Sequence, residues 1–269
     1  MKKTKMAIIY DFDRTLSPKD MQEFHMYKKM GFKTPNDLWA ESDLLGKKYQ
    51  MDRIIAYMLL IANEYPNLTY EKLVEEGKYI DLFKGVDTWF KRINDYGLEH
   101  NIVVEHYIIS SGLKAMIEGT SIANEFKRIY ACDYAFEKDR IWPSRVVNYT
   151  NKTQYLFRIN KGVLDEMNDA DLNRSTPDTE KYIPYSRMVY IGDGFTDVPC
   201  MKIVSQFGGN TIAVYGSQKA KEELAKPLYQ DNRATFFAKA DYSEDSKIDK
   251  IIKNIINVIE ASLLLEDHK

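Results

Sequence analysis

The chain has 269 residues, 44% of them hydrophobic and 29% charged, the balance of an ordinary soluble globular protein. Its 38 Lys and Arg against 40 Asp and Glu leave a formal net charge of −2, which supplies neither a basic field for nucleic acid nor a polybasic patch for a membrane. No apolar run approaches the roughly 18–20 residues of a spanning helix, and the run behind the basic start MKKTKM is too short for a secretory signal. The two cysteines, Cys132 and Cys200, make neither a disulfide framework nor a zinc site. The expectation is a cytoplasmic protein with no nucleic-acid or membrane partner.

Met6 to Tyr10 reads as a buried strand, with Ile8 and Ile9 supplying stiff branched side chains. Helix signals then dominate from Ser17 to about residue 84. Within this stretch Met51, Ile54, Ile55, Met58, Leu59, Ala62 and Tyr65 recur at three- and four-residue steps, an amphipathic helix stopped by Pro66. A second helical pattern runs from Asn67 to Ile80 with a gap at Gly77, and a helix follows between Gly85 and Gly97. Residues 102–112 read as a strand ending in Ser110-Ser111-Gly112 at the start of the next helix. Residues 128–136 and 140–150 are predicted to pair as a hairpin across the Glu137–Arg140 turn. Residues 154–168 lead into a helix that Lys161-Gly162 opens, followed by a polar loop to Pro184, a strand over 187–194 and a short strand over 210–217. The last helix carries Ile248, Ile251, Ile252, Ile255, Ile256, Ile259 and Leu263 on one stripe, which docks it onto the core. Strands alternating with helices predict an α/β fold, a doubly wound, Rossmann-like parallel sheet. The helical unit at 17–84 is an insertion behind its first strand, so the core takes residues 1–16 and 85–269.

Ligands of open α/β sheets lie beyond the carboxyl ends of the strands, and three strands here end in polar residues of specific types. The first ends in Asp11-Phe12-Asp13-Arg14-Thr15, the second in Ser110-Ser111-Gly112, and the third in Gly192-Asp193-Gly194-Phe195-Thr196-Asp197. Asp11 and Asp13 alternate along one strand face, so two anions approach one small volume and repel unless a cation holds them. Four carboxylates with a serine and a lysine offer hard oxygen ligands, which suit Mg²⁺. Lys161 and Lys152 compete for the cation's place. His25, His100, His106 and His268 share no metal-ligand spacing.

The order D-x-D-x-T, Ser after an apolar strand, Lys at a helix and GDGxxD resembles the haloacid dehalogenase superfamily of aspartate-nucleophile phosphohydrolases. The helical insertion and the GDG form resemble its phosphoserine phosphatase-like branch, in which 17–84 is a helical cap. The resemblance implies that Asp11 attacks phosphorus and that Asp13 serves as general acid and then base. It implies Mg²⁺ held by Asp11, the Asp13 carbonyl and Asp193, with Asp197 behind them or joined through water. Ser110 and Lys161 would hold the phosphoryl oxygens, helped by the backbone at Phe12, Ser111 and Gly112; Lys161 is preferred to Lys152 because Lys-Gly followed by apolar residues at a helix start fits the family pattern. Thr196 stands where the family often has Asn, on the phosphate side. Asp20 or Glu23 would face an amino group of the substrate and Arg53 a carboxylate. The implied substrate is a small phosphorylated metabolite. A phosphotransferase or phosphomutase keeps the same motifs, and a phosphate-ligand sensor would keep the pocket without needing both Asp11 and Asp13.

Overall fold

The computed structural model describes residues 4–138, 140–216 and 219–266. The basic start at 1–3, Asp139 of the hairpin turn and Ser217 at the end of the late strand lie outside these residues. Strand β1 (Thr4–Tyr10) is followed by a 3₁₀ turn (Met21–Glu23) and helices α1 (Met26–Lys29), α2 (Pro35–Tyr49), α3 (Arg53–Glu64) and α4 (Tyr70–Gly77). Then come α5 (Val86–Glu99), β2 (Ile102–Leu113), α6 (Lys114–Glu118), the hairpin strands β3 (Arg128–Glu137) and β4 (Arg140–Arg145), α7 (Lys152–Lys161) and α8 (Asp169–Asn173). The chain closes with β5 (Met188–Gly192), a 3₁₀ turn (Phe195–Asp197), α9 (Val198–Gln206), β6 (Asn210–Tyr215), α10 (Lys219–Gln230), β7 (Phe236–Lys239) and α11 (Lys247–Glu266).

The described strands form one sheet in the order β4-β3-β2-β1-β5-β6-β7. All neighbours run parallel except the β3–β4 hairpin. A parallel sheet covered on both faces needs continuously apolar strands, and Met6, Ala7, Ile8, Ile9 and Tyr10 are all fully buried. The order reverses at β1, with β2 on one side and β5 on the other. That switch point is where open α/β sheets leave a crevice at the carboxyl ends of their strands.

The boundaries follow local chemistry. Thr34 caps α2 in a reciprocal box with Asp37, and the Asp52 side chain accepts from the backbone of Ile54 and Ile55 to start α3. Helix α11 buries Ile248, Ile252, Ile255, Ile256 and Ile259, as the stripe predicts, and packs on α5 and β7. Arg92 of α5 reaches its buried Asp249 at 2.9 Å. Two sequence expectations change. Lys161-Gly162 ends a helix instead of opening one: Gly162 takes a left-handed φ of 73° as the cap of α7, the usual role of glycine after a basic last turn. Ser110-Ser111-Gly112 closes β2 just ahead of α6, as expected, and the strand runs one residue further, to Leu113, through an irregularity in its pairing with β3. Helix α10 and strand β7 add an α/β unit that the sequence reading lacks, where Pro227 interrupts the helical pattern.

Candidate active site

Register sets the site. Tyr10 pairs with Ile108 of β2 and with Ile191 of β5, so the residues just beyond each strand end side by side. Asp11 follows β1, Ser110 lies level with Phe12, and Asp193 follows β5. The Asp11 N–H donates to the Ile191 carbonyl at 2.9 Å, fixing the first junction. Beyond it the chain coils tightly. The N–H groups of Thr15, Leu16 and Ser17 all point at the Phe12 carbonyl, at 2.9–3.2 Å. Arg14 adopts a left-handed φ of 59° to make that coil, a conformation with a steric penalty for any residue bearing a Cβ. Tyr242 ties the coil down by donating to the Thr15 carbonyl at 2.8 Å.

One oxygen each of Asp11, Asp193 and Asp197 gather within 4.8 Å of one another. Lys152, only 1% exposed, places its ammonium 3.2 Å from Asp11 Oδ1 and 2.8 Å from Asp197 Oδ1. Asp197 is fully buried and held by more than the lysine: Tyr190 donates to Oδ1 at 2.8 Å and the Gly194 N–H to Oδ2 at 3.3 Å. Its closeness to the backbone explains Gly192, where a Cβ would stand 2.5 Å from Asp197 Oδ2. Ser110 is buried, and its hydroxyl oxygen accepts from the Gly112 N–H at 3.0 Å. A Cβ on Gly112 would meet the Met21 methyl at 2.2 Å and Asp13 Oδ2 at 3.0 Å.

Electrostatics in this volume are unbalanced. Burial, then repulsion from Asp197, raises the Asp11 carboxyl to about 6 although Lys152 pulls it down. Asp13 is pushed well above the ordinary range by burial and by Asp20 and Asp11, against the Met21 N–H that donates to its Oδ1 at 2.8 Å. Asp193 is pushed up by burial and by Asp197, Asp11 and Asp20. Burial works against the Lys152 charge, but Asp11 and Asp197 outweigh it and hold the ammonium protonated. One lysine does not neutralise this many carboxylates. Asp11 Oδ1 is buried and, although near Lys152, makes no well-aligned hydrogen bond. Clustered hard oxygen donors with excess negative charge fit a divalent cation such as Mg²⁺.

The structure brings Asp11, Phe12, Asp13, Ser110, Ser111, Gly112, Asp193 and Asp197 to the same strand ends. It does not bring Lys161 there: that ammonium caps the carbonyls of Leu172, at 2.5 Å, and Arg174, at 2.8 Å. The cation of the site is Lys152, at the first turn of α7, and the assignment to Lys161 is corrected accordingly. Arg53 forks onto Asp43 at 3.0 and 3.1 Å, largely exposed, instead of reaching the carboxylates. Asp20 is engaged by Arg14 through Nε at 2.7 Å and Nη2 at 2.9 Å. Thr196 is exposed on the 3₁₀ turn. Asp13 contributes no carboxylate to the three-oxygen group. Three contributors escaped the sequence reading. Arg14 stood inside the first motif with no role given to it, whereas Tyr190 and Met21 look like any core residue until the fold places them.

The model of the haloacid dehalogenase-like hydrolases matches residues 8–202, and the chain belongs to that family. A Borreliella burgdorferi protein described as uncharacterized is 28% identical over 276 residues, covering 90% of this chain and 93% of its own. A substrate-bound phosphoserine phosphatase complex superposes with a TM-score of 0.57 at 15% identity, over 94% of this chain and 99% of that one. A probable phosphoserine phosphatase from Vibrio cholerae reaches 0.59 at 11% identity, over 97% and 67%. A HAD family hydrolase from Salmonella enterica serovar Typhi reaches 0.54 at 18% identity, and this chain spans 81% of its own length but 64% of that protein's. The fold is therefore that of the phosphoserine phosphatase-like hydrolases. Among the described residues no helix is long and apolar enough to cross a membrane.

Proposed function

We propose that this chain is a Mg²⁺-dependent phosphatase of small phosphate monoesters that works through a phosphoryl group carried on Asp11. The observation that carries the reading is the set of three carboxylates within 4.8 Å at the β1–β5 switch point, shared with one buried lysine. Asp11, Asp193 and the Asp13 carbonyl would hold the cation, with Asp197 behind them. When bound, the cation supplies charge neutralisation to the phosphoryl oxygens and to the attacking carboxylate. An Asp11 oxygen attacks phosphorus as the P–O bond to the alcohol breaks, and the leaving oxygen takes the proton of Asp13. The raised affinity of Asp13 for its proton suits that first role. Asp13 then takes a proton from water, whose oxygen attacks phosphorus and releases Asp11 and inorganic phosphate. Lys152 and Ser110 would steady the phosphoryl oxygens, and Asp197 with Tyr190 fixes the lysine. Pre-placed positive charge is the main lever for phosphoryl transfer.

Helices α1–α4 would act as the cap. The Met21 N–H on Asp13, and Tyr57 of α3, which donates to the Ser111 carbonyl, tie that insertion to both catalytic loops. The test is phosphate release from a panel of monoesters with and without Mg²⁺, for wild type and Asp11→Asn. Activity that needs Mg²⁺ and falls at least about 10³-fold in the variant is expected. Activity retained by Asp11→Asn overturns the mechanism.

A further inference from the structure

A cavity of about 280 Å³ shares a wall with the carboxylate cluster, because Asp193 lines both. Most of the rest of its lining is apolar. Phe83, Phe195 and Tyr215 supply aromatic surface and buried Leu228 an aliphatic one, with Arg14 as the cation. Phe195 lies in the GDGFTD loop, lines this cavity and leaves 61% of its surface exposed, so its ring is free to meet a ligand there. For scale, a cavity of about 150 Å³ is enough to hold benzene.

Arg14, the cation of this lining, is engaged by the acids beside it. Both oxygens of Asp20 accept from Arg14. Glu23 Oε1 accepts from Arg14 Nη2 at 3.3 Å and from the Trp39 indole at 3.0 Å. The acidic residues that would otherwise hold a substrate ammonium are thereby neutralised from within the chain. Arg14 Nη1, in contrast, makes no hydrogen bond among the described residues, so one N–H edge of a pinned guanidinium remains for an acceptor.

We infer that this cavity is the subsite for the leaving group, and that it takes an aromatic or similarly sized apolar ring without an ammonium group. The inference rests on the phosphatase reading. Arg14 acts as a positioning residue, its Nη1 donating to a neutral acceptor on the ring, while Phe195 covers one ring face. Stacking and burial then select the alcohol, and the carboxylate cluster handles phosphorus alone.

Calorimetric titration of the Mg²⁺-loaded protein with non-hydrolysable phosphonates separates the subsite from the chemistry. Benzylphosphonate is expected to bind at least about tenfold more tightly than methylphosphonate, and 2-aminoethylphosphonate no more tightly than methylphosphonate. Phe195→Ala, at an exposed position that the fold does not need, is expected to bring the benzyl-to-methyl ratio within about twofold of one. A ratio near one in wild type, a ratio untouched by Phe195→Ala, or tightest binding of the aminoethyl compound overturns the inference. Phosphate release from benzyl phosphate is followed in parallel. A selective site that never turns over refutes the phosphatase reading and keeps the subsite, whereas turnover without selectivity refutes the subsite alone.

Discussion

Asp11 and Asp197 share the ammonium of Lys152 at 3.2 and 2.8 Å in a largely buried volume. Removing the cation leaves uncompensated carboxylates, so Lys152→Met is expected to lower stability by about 3–5 kcal/mol and to abolish phosphate release. Lys161→Met, which loses only contacts to two carbonyls, is expected to keep kcat within about twofold of wild type. Denaturant unfolding beside steady-state kinetics checks the pair, and the reverse ranking would contradict the placement. The sequence pointed to the wrong lysine for a physical reason. Lys-Gly marks a helix end at least as well as a start, because left-handed glycine follows basic last turns. Telling the two apart requires knowing where α7 begins, and Asn151 gives that start no side-chain cap. The aspartates were legible because four motifs come in order; alone, an acid at a strand end could as well cap a turn or a helix. Tyr190 was not, since its hydroxyl becomes a site group only when β5 lies beside Asp197.

Elements are joined around the site by buried polar chains as well as by apolar packing. The Trp89 indole of α5 donates to the Tyr10 hydroxyl at 2.8 Å, and Tyr10 meets His106 Nδ1 at 2.9 Å. The other nitrogen of His106 meets Asn94 Oδ1, again at 2.9 Å. Because an indole only donates, Tyr10 is free to donate to Nδ1, which leaves the proton on Nε2 for Asn94. Neutral His106 therefore ties β1 and β2 to α5. Burial lowers it from 6.5 to about 3. The unfolded chain thus binds more protons between those values, and stability falls as pH drops through 6.5. The expected loss from this group between pH 8 and pH 5 is about 2 kcal/mol. Urea unfolding of wild type against His106→Gln at both pH values measures it, and an equal drop in the two proteins would contradict the assignment. At the end of β5, Gly192→Ala forces a Cβ to 2.5 Å from Asp197 Oδ2. A loss of about 1–3 kcal/mol, with a fall in kcat of about 100-fold as Lys152 loses its anchor, is expected from thermal melts and assays. Strands rich in Ile and Val, and the α11 stripe, were legible from periodicity. The α10–β7 unit was not, because Pro227 and the short Phe236–Lys239 run carry weak local signals.

Across the whole molecule, the sheet order places the two acidic strand ends at the reversal of winding, and the insertion of α1–α4 lies directly behind the first of them. Alternating strands and helices made that architecture readable, and the order of four motifs made the family readable. Substrate preference was not, because the side chains that line a cavity come from distant segments of the chain. Phe83, Phe195 and Tyr215 are far apart in the chain and share a wall only after folding. The reading of the whole rests on Asp11 carrying the phosphoryl group. The most direct test is acid quenching of the Mg²⁺-loaded protein during turnover of benzyl phosphate, followed by mass spectrometry of the peptide that contains Asp11. A phosphoryl group on Asp11, absent in Asp11→Asn, is the expected result. Phosphate release with no phosphoryl group on Asp11 at any quench time, in wild type and in a slowed Asp13→Asn variant alike, would contradict it.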